Sequence, residues 1–248
     1  GQPALWTDEY IEGLRKFTDR MHENGAKVSV QINHAGRQTV KMICGEQPVA
    51  PSAIKDPFYP EEPRELTVDE IHTIVEQFGD AALRAKKAGF DMVEEHAHAG
   101  YLIASFLSPM SNKRTDEYGG CFYNRARFAV EILDNMRKKL GPDFPIMVRF
   151  SADEFVQGGS TIMDMLAFAR LLESHDANAL DISAGNCNSF EYMVQSMAVP
   201  HGFIAGLSEE IKKAVSIPVT VAGRINDPFI AEAIIAAGKS DMVSMGRA

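Results

Sequence analysis

Short apolar segments alternate with longer helix-like segments along almost the whole chain. Each apolar segment lies between glycine, proline or polar residues, as strands buried on both faces of a parallel sheet do. Strands that alternate with helices at this spacing form βαβ units, in which successive strands run parallel. The six predicted strands cover residues 28–32, 90–93, 145–150, 179–183, 217–221 and 241–245.

The segments between these strands carry helix signals. Apolar residues recur three and four positions apart after Thr7, which is followed by acidic residues that suit a first turn, and Thr67 has the same acidic context. Helices are predicted over residues 7–24, 67–87, 122–140, 160–174, 207–215 and 227–238. The remaining long stretches are predicted as loops and cover residues 38–66, 103–121 and 184–206.

The number of strands selects between two α/β architectures. A closed (β/α)₈ barrel has eight strands and a final helix, whereas an open doubly wound sheet can stop at six but begins with a glycine-rich turn. No such turn follows the first predicted strand. We therefore predict an α/β chain with a TIM (β/α)₈ barrel fold that lacks the first two strands and the last helix. Without a break in composition, residues 1–248 are predicted to form a single domain.

Charge and composition exclude several classes of function. The net charge of -9 disfavours a nucleic-acid-binding protein and a polybasic membrane anchor. No apolar run reaches membrane-spanning length, and the three cysteines are widely spaced, so neither a disulfide framework nor a zinc site is expected. These features predict a cytoplasmic protein without a metal centre and without a nucleic-acid or membrane partner.

Glycine followed by arginine occurs after each of the last two predicted strands, at Gly223-Arg224 and Gly246-Arg247. Glycine allows backbone N–H groups to approach a phosphate, and arginine can bind it through two parallel hydrogen bonds. Phosphate sites in barrels commonly follow the seventh and eighth strands. The pattern predicts a phosphate site, and the alternative is a pair of ordinary strand-to-loop glycines with solvated arginines.

The segment from Phe90 to Leu102 reads as a strand that leads into two histidines and a tyrosine. Active sites of α/β barrels lie at the carboxyl ends of the strands. His96, His98 and Tyr101 are therefore candidate catalytic residues, because imidazole and phenol groups can transfer protons to and from substrates. For His98, a solvent-facing loop histidine is an equally weighted alternative, and for Tyr101 the alternative is packing within the loop.

Separated motifs occur at the ends of the predicted strands and in the segment 103–128, which covers a predicted loop and the start of the helix that follows it. They are Gln31-x-x-His34-Ala35-Gly36-Arg37, His96-x-x-x-Gly100-Tyr101-Leu102-Ile103-x-x-Phe106-Leu107-Ser108-Pro109, Asn112-Lys113-Arg114-Thr115-Asp116-Glu117-Tyr118-Gly119-Gly120, Asn124-Arg125-x-Arg127-Phe128, Val148-Arg149, Ala222-Gly223-Arg224 and Met245-Gly246-Arg247. In this order they resemble the old yellow enzyme family. The resemblance implies FMN-dependent reduction of an activated C=C bond, in an α,β-unsaturated carbonyl compound or enoate, with NAD(P)H as the reductant. It also implies that the present strands are the third to the eighth of the barrel.

The charged part of these motifs, within residues 112–128, has a structural interpretation. Arg114 and Asp116 alternate in charge with the later arginines, as in a salt-bridged loop clamp. Gly119-Gly120 suits a turn. We predict that this segment identifies the family without touching the substrate.

The resemblance assigns cofactor roles to residues at the strand ends. It places Gln31 against the edge of the flavin pyrimidine ring, because a carboxamide offers donors and an acceptor on one plane; the alternative is a rim glutamine bonded by backbone. It places Arg149 beside flavin N1 and the C2 carbonyl, where a guanidinium stabilises the charge of reduced flavin. The alternative for Arg149 is a structural salt bridge with Glu94 or Asp181. The FMN phosphate would be held by Gly223, Arg224, Gly246 and Arg247.

The resemblance also assigns substrate roles. His96 would donate a hydrogen bond to the substrate carbonyl oxygen, where negative charge develops, and Tyr101 would protonate the α-carbon. The family supplies a second donor three residues after the first, but Ala99 occupies that position and His98 precedes it. Either His98 replaces the missing donor or the site has one donor, and this departure leaves the substrate class open.

Two alternatives to a flavin enzyme are consistent with the sequence. A phosphate-binding barrel of aldolase or isomerase type needs a lysine or a carboxylate at a strand end; no predicted strand ends in lysine, but Glu94 and Glu95 keep the carboxylate version open. The non-catalytic alternative is a truncated relative that binds FMN weakly or forms only an interaction surface. The larger members of the family carry a 4Fe–4S cluster and FAD in a downstream region, and we expect these groups only in such a region. A homo-oligomer is compatible with the sequence, and the choice between NADH and NADPH stays open.

Overall fold

A six-stranded parallel sheet is the centre of the computed structural model, which describes residues 4–246. The strands lie side by side in chain order and curl into a half-barrel with helices around it, which confirms the α/β barrel prediction. Within the described residues, the first and last strands form the two edges of the sheet. The sheet consists of β1 Ser29–Ile32, β4 Met92–Ala97, β5 Ile146–Ser151, β6 Ala179–Ser183, β7 Val219–Ala222 and β8 Met242–Ser244. A separate parallel pair is formed by β2 Val49–Ala50 and β3 Arg64–Glu65.

The predicted helices are present, with ends that differ by a few residues. The six predicted helices correspond to α1 Ile11–Glu23, α3 Val68–Lys87, α5 Phe122–Leu140, α6 Ile162–Ser174, α8 Ala205–Ala214 and α9 Pro228–Ala236. Three helices that were not predicted are α2 Lys41–Cys44, α4 Leu102–Leu107 and α7 Phe190–Met193. Short 3₁₀ turns occupy Asp8–Tyr10 and Cys187–Ser189. Apart from α4 and the two short helices α2 and α7, each of these helices follows or precedes a strand of the sheet, as βαβ units require.

The start of α3 shows how local sequence sets a helix boundary. The Thr67 side chain accepts a hydrogen bond from the Glu70 backbone N–H, and the Glu70 carboxylate accepts one from the Thr67 N–H. This capping box satisfies N–H groups that a helix start leaves free. Ile71, Val75 and Phe78 then point into the core at helical spacing, against α5.

The prediction of a polar loop over residues 103–121 was wrong at its beginning, because the chain forms α4 there. All six residues of this helix, Leu102 to Leu107, are buried. An apolar run this short does not show whether its period is that of a helix or a strand. The other two predicted loops are mostly irregular but contain short elements, with α2, β2 and β3 in residues 38–66 and α7 in residues 184–206.

Arg114 joins the loop after α4 to the rest of the molecule. Its guanidinium donates to the carbonyl oxygens of Leu66 at 2.6 Å and Pro51 at 3.1 Å, and it pairs with Asp116. A Cβ at Gly119 would lie 2.1 Å from the Arg114 carbonyl oxygen, so this turn requires glycine. These contacts are those of the structural clamp that the alternating charges predict.

Candidate active site

Successive residues of β4 point alternately to the inside of the curled sheet and to the helices. Val93 and Ala97 belong to the apolar core. Glu94 hydrogen-bonds to Gln31 on β1, and His96 lies opposite Arg149 on β5 in the strand register. His96 is therefore part of the strand, which extends four residues beyond its predicted end at residue 93.

The inside of the half-barrel holds one arginine between two acidic residues. Arg149 Nη1 lies 3.4 Å from Asp181 Oδ2, so the predicted alternative of a salt bridge for Arg149 is present. Burial raises the pKa of Asp181 to about 7, against the opposing effect of Arg149, and Glu94 raises it further. Burial also raises the pKa of Glu94, which the hydrogen bond from Gln31 and the charge of Arg149 partly offset. This region therefore holds less negative charge than two ordinary carboxylates would.

Some of the buried polar atoms in this region are not satisfied. Arg149 Nε and Asp181 Oδ1 have no hydrogen-bond partner within residues 4–246, and neither does Gln195 Oε1. A buried polar atom without a partner costs roughly 1–3 kcal/mol. Arg149 and Gln195 also line a cavity, where a polar ligand would satisfy such atoms.

A cavity of ≈ 490 Å³ lies beside Arg149, along the carboxyl ends of β5 to β8. It brings together Arg149, Gly223, Arg224 and Gly246 from the predicted cofactor set, while Arg247 lies outside the described residues. Gln31 is not among the lining residues and bonds to Glu94 instead. The cavity is lined by Arg149, Ser183, Met193, Gln195, Met197, Ile204, Ala222, Gly223, Arg224, Ile225, Asn226, Ser244 and Gly246.

Gly223 and Arg224 shape one end of this cavity. Gly223 has a φ of +145°, and a Cβ there would lie 2.7 Å from Ile204 Cδ1 and 3.0 Å from the Gln195 amide. Arg224 adopts a positive φ of 46° and donates to the Met197 carbonyl at 2.8 Å. Gly223 therefore has no room for a side chain, and the guanidinium of Arg224 beside it carries a positive charge.

His96, His98 and Tyr101 form the other part of the site, which we call the His–Tyr cluster. The ring of Tyr101 meets that of His96 edge-on at 5.1 Å between centroids, and the rings of His96 and His98 stack at 5.8 Å. Burial and the charge of Arg149 lower the pKa of His96 to about 4, so its imidazole is neutral near pH 7. Burial raises the pKa of the Tyr101 phenol, which keeps its proton.

His98 is buried, so the alternative of a solvent-facing loop histidine is wrong. Nδ1 lies 2.7 Å from Ser151 Oγ and Nε2 lies 3.2 Å from Ser183 Oγ. Burial lowers the pKa of His98 well below its usual value, and the nearby Arg149 adds to this effect. The side chain is therefore a neutral imidazole between two serines.

The two serines and Gln195 were not among the predicted site residues. Ser151 and Ser183 are the last residues of β5 and β6, and polar residues at the carboxyl ends of barrel strands are a signal that could have found them. Gln195 belongs to an irregular segment, and no sequence pattern indicates that its side chain would reach Gly223.

A second polar network, centred on Gln38, lies next to the His–Tyr cluster. Gln38 Nε2 donates to the Ala99 carbonyl at 2.7 Å and to Asp56 at 3.2 Å, and it lies 3.1 Å from Cys187 Sγ. Burial raises the pKa of the Cys187 thiol to about 12, so it is not a thiolate nucleophile at neutral pH. The network anchors the backbone between His98 and Tyr101 to the loop that contains Gln38.

Glu95 does not reach the site, because it lies on the face of β4 that points to the helices. It is 0 % exposed, and neither of its carboxylate oxygens has a hydrogen-bond partner within the described residues. The carboxylate version of an aldolase or isomerase mechanism is left with Glu94 alone. Across residues 4–246, no group of three or more His, Cys, Asp or Glu side chains could hold a metal ion. No described helix combines the length and apolar character that crossing a bilayer requires.

Comparison with known proteins identifies a family for this architecture. The model of the NADH:flavin oxidoreductase / NADH oxidase family matches residues 1–248. An NADH oxidase of Thermoanaerobacter brockii is 46% identical over 247 residues, which are 99% of this chain and 38% of that protein. The chain thus spans less than two fifths of the length of this relative.

Solved structures agree with the family match. A 2-naphthoyl-CoA reductase in complex with 2-naphthoyl-CoA superimposes with a TM-score of 0.95 at 33% identity, over 100% of this chain and 40% of that one. An old yellow enzyme homologue from Zymomonas mobilis superimposes with a TM-score of 0.83 at 30% identity, over 99% of this chain and 70% of that one. The likeness to an old yellow enzyme homologue confirms the resemblance that the sequence motifs indicate.

Proposed function

The chain belongs to the NADH:flavin oxidoreductase / NADH oxidase family, and from this premise we propose that it forms the FMN-binding part of an oxidoreductase. We propose further that the enzyme reduces an activated C=C bond, in an α,β-unsaturated carbonyl compound or enoate, with NAD(P)H as the source of hydride. The name of the 2-naphthoyl-CoA reductase supports this class, because its substrate has C=C bonds conjugated to a thioester carbonyl.

One observation carries the proposal: Arg149 lies between the cavity and the His–Tyr cluster. It lines the cavity, and its charge acts on both His96 and His98. A cofactor in the cavity and a substrate over the histidines would therefore meet beside one fixed guanidinium. A fixed positive charge favours both a reduced, anionic cofactor and the negative charge that develops on the substrate when it accepts hydride.

The chemical character of the cavity suits FMN. Arg224 and the bare backbone at Gly223 and Gly246 suit a phosphate. Arg149 Nε and Gln195 Oε1, which have no hydrogen-bond partner within residues 4–246, offer a donor and an acceptor to a polar heterocycle. Gln31 and Arg247 remain proposed ligands: Gln31 bonds to Glu94, and Arg247 lies outside the described residues. FMN, when bound, would accept hydride from NAD(P)H and pass it to the alkene.

In this proposal the residues of the protein stabilise the charge on the substrate carbonyl oxygen and supply the proton for the α-carbon. His96 Nδ1 lies 3.4 Å from the His98 backbone N–H and is the acceptor of that contact, which places the ring proton on Nε2. The Nε2–H of His96 would donate to the substrate carbonyl oxygen and stabilise the charge that develops there. The Tyr101 phenol would deliver a proton to the α-carbon. Whether His98 adds a second donor stays a prediction, since both of its ring nitrogens already face serines.

Purification of the full-length protein tests the flavin assignment. The protein should be yellow, and denaturation should release FMN in a ratio near one per chain. Addition of an α,β-unsaturated carbonyl compound to the protein reduced by NAD(P)H should restore the absorbance of oxidised flavin. A colourless protein that also fails to bind added FMN would contradict the proposal.

Substitution of Gly223 by alanine should weaken FMN binding by about tenfold or more, which corresponds to about 1.4 kcal/mol. The added Cβ would meet Ile204 at 2.7 Å in a backbone conformation that alanine rarely adopts. FMN affinity is measured by titrating the apoprotein and following flavin fluorescence. Gly206→Ala is the matched control, because a Cβ at this position in α8 meets nothing within 4 Å. Equal FMN affinities in the two variants would argue against the cavity as the cofactor site.

A further inference from the structure

The imidazole of His98 connects the carboxyl ends of three adjacent strands. His98 follows β4 directly, and its ring contacts Ser151 at the end of β5 and Ser183 at the end of β6. The two serines are partners in the strand register. Few side chains span a parallel sheet in this way, since neighbouring strands are about 4.8 Å apart.

The hydrogen bonds of His98 form a series that ends at the Gly185 carbonyl oxygen, and this last acceptor sets the direction of each bond. Ser151 Oγ lies 2.8 Å from the Gly185 carbonyl oxygen, which can only accept, so the single hydroxyl proton of Ser151 points there. Ser151 Oγ must then accept from His98, and the proton of the neutral ring is on Nδ1. His98 Nε2 is left as an acceptor for the Ser183 hydroxyl at 3.2 Å. The series therefore runs Ser183 to His98 to Ser151 to Gly185, and every His98 ring nitrogen is used.

The backbone N–H of His98 determines which ring nitrogen of His96 carries the proton. Its N–H points to Nδ1 of His96 at 3.4 Å, and an N–H donor requires an unprotonated nitrogen. The two histidines thus hold opposite tautomers, with the proton on Nε2 in His96 and on Nδ1 in His98. A residue in a left-handed conformation follows, Ala99 with a φ of 62°, which an alanine adopts only when its surroundings hold it there.

We propose that His98 is a positioning residue for His96. Its two serine bonds hold the peptide whose N–H keeps His96 in the Nε2–H tautomer, and this leaves His96 as the one imidazole donor of the cluster. The importance of that tautomer for the reaction rests on the function proposed above. The tautomer itself is a property of the resting protein and can be measured without substrate.

Substitutions at His98 distinguish this role from direct contact with substrate. In His98→Asn, the amide nitrogen can take the place of Nδ1 and keep the bond to Ser151. In His98→Gln, the amide reaches the place of Nε2 and loses that bond. We expect alkene reduction by the full-length, FMN-loaded protein to fall about tenfold in His98→Gln and in Ser151→Ala, while His98→Asn keeps most of the parent rate. A full rate in His98→Gln and in Ser151→Ala, with a loss in His98→Asn, would overturn the proposal and favour donation from Nε2 to substrate.

Nitrogen NMR of protein labelled with ¹⁵N-histidine supplies a readout that a general loss of structure would not give. In the parent, His98 should show the Nδ1–H pattern and His96 the Nε2–H pattern, each assigned by substitution. In Ser151→Ala, His96 should become a mixture of tautomers while FMN content is unchanged. An unaltered His96 signal in Ser151→Ala contradicts the proposal. Ser240→Ala is the control, because the buried Ser240 hydroxyl contacts the Val219 and Met242 carbonyls and lies at the amino end of β8.

The two proposals fail in different ways. If the parent protein binds no FMN or reduces no alkene, the proposed function is wrong, and the tautomers of His96 and His98 still decide the positioning role. If the parent reduces alkenes but His96 keeps its tautomer in Ser151→Ala, the function stands and the positioning role is wrong.

Discussion

Replacement of Tyr101 by phenylalanine should slow alkene reduction by about 10²–10⁴-fold, the usual contribution of a general acid. The phenol lies against His96, and burial raises its pKa, so it is protonated and available as a donor at neutral pH. Reduction of the flavin by NAD(P)H needs no proton from this residue and should be nearly unchanged. The two half-reactions are measured separately by rapid mixing, from the loss and the return of oxidised-flavin absorbance.

The control for this substitution is Tyr123→Phe, which removes a phenol hydroxyl from an exposed position on α5. It should alter neither half-reaction. Since the pKa of His96 is lowered to about 4 and that of Tyr101 is raised, neither group changes its charge near neutral pH. The rate of the alkene step in the parent should therefore not depend on their ionisation in that range. An equal loss in both half-reactions of Tyr101→Phe would remove Tyr101 from the role of proton donor.

Replacement of Glu95 should stabilise the protein. Its carboxyl group is completely buried, without a hydrogen-bond partner in residues 4–246. Burial raises its pKa well above the usual value, and the negative charge of Asp134 on α5 adds to the effect. Burial of an unpartnered polar group costs roughly 1–3 kcal/mol. We expect Glu95→Val to increase the free energy of unfolding by about this amount even at low pH, because valine suits a strand.

The pH dependence of stability distinguishes the cost of burying the charge of Glu95 from the cost of burying its neutral polar group. The folded state binds the proton of Glu95 more tightly than the unfolded state does. The contribution of this protonation to the free energy of unfolding is therefore fully present below about pH 4 and is lost as pH rises toward the folded pKa. The parent should thus be less stable at about pH 8 than at about pH 5, relative to Glu95→Gln, which does not titrate. Asp181, whose pKa is raised to about 7, contributes with the same sign but is common to both proteins. Denaturant titrations followed by circular dichroism measure the difference, and parallel pH profiles would contradict the assignment.

The sequence predicts the strand order well because each strand is short, apolar and bounded by turn residues. It predicts the buried helix α4 poorly, since a run of six apolar residues has the same composition in either structure. The end of β4 was also placed too early. His96 reads as a loop residue from its polarity, but pairing with Arg149 on β5 continues the strand through it.

The candidate site was predictable to the level of residue types at strand ends. Arg149, Gly223, Arg224, His96 and Tyr101 follow from that rule and from the motifs, and the structure brings them around one region. Hydrogen bonds between strands lie beyond such reasoning, because they depend on register. Nothing in the local sequence of His98 indicates that Ser151 and Ser183 would satisfy both of its nitrogens.

The register of the sheet has a consequence for how such a protein can be altered. His96, Arg149 and Asp181 occupy matched positions on three consecutive strands, so their mutual distances are set by strand spacing and not by the connections between strands. The irregular segments 38–66 and 184–206 can then vary without moving these charges, provided that Gln38, Asp56 and Gly185, which hold the His–Tyr cluster, are retained. Under the proposed function, substitutions elsewhere in those two segments should change the selectivity for substrate, while the charges of His96, Arg149 and Asp181 stay in place.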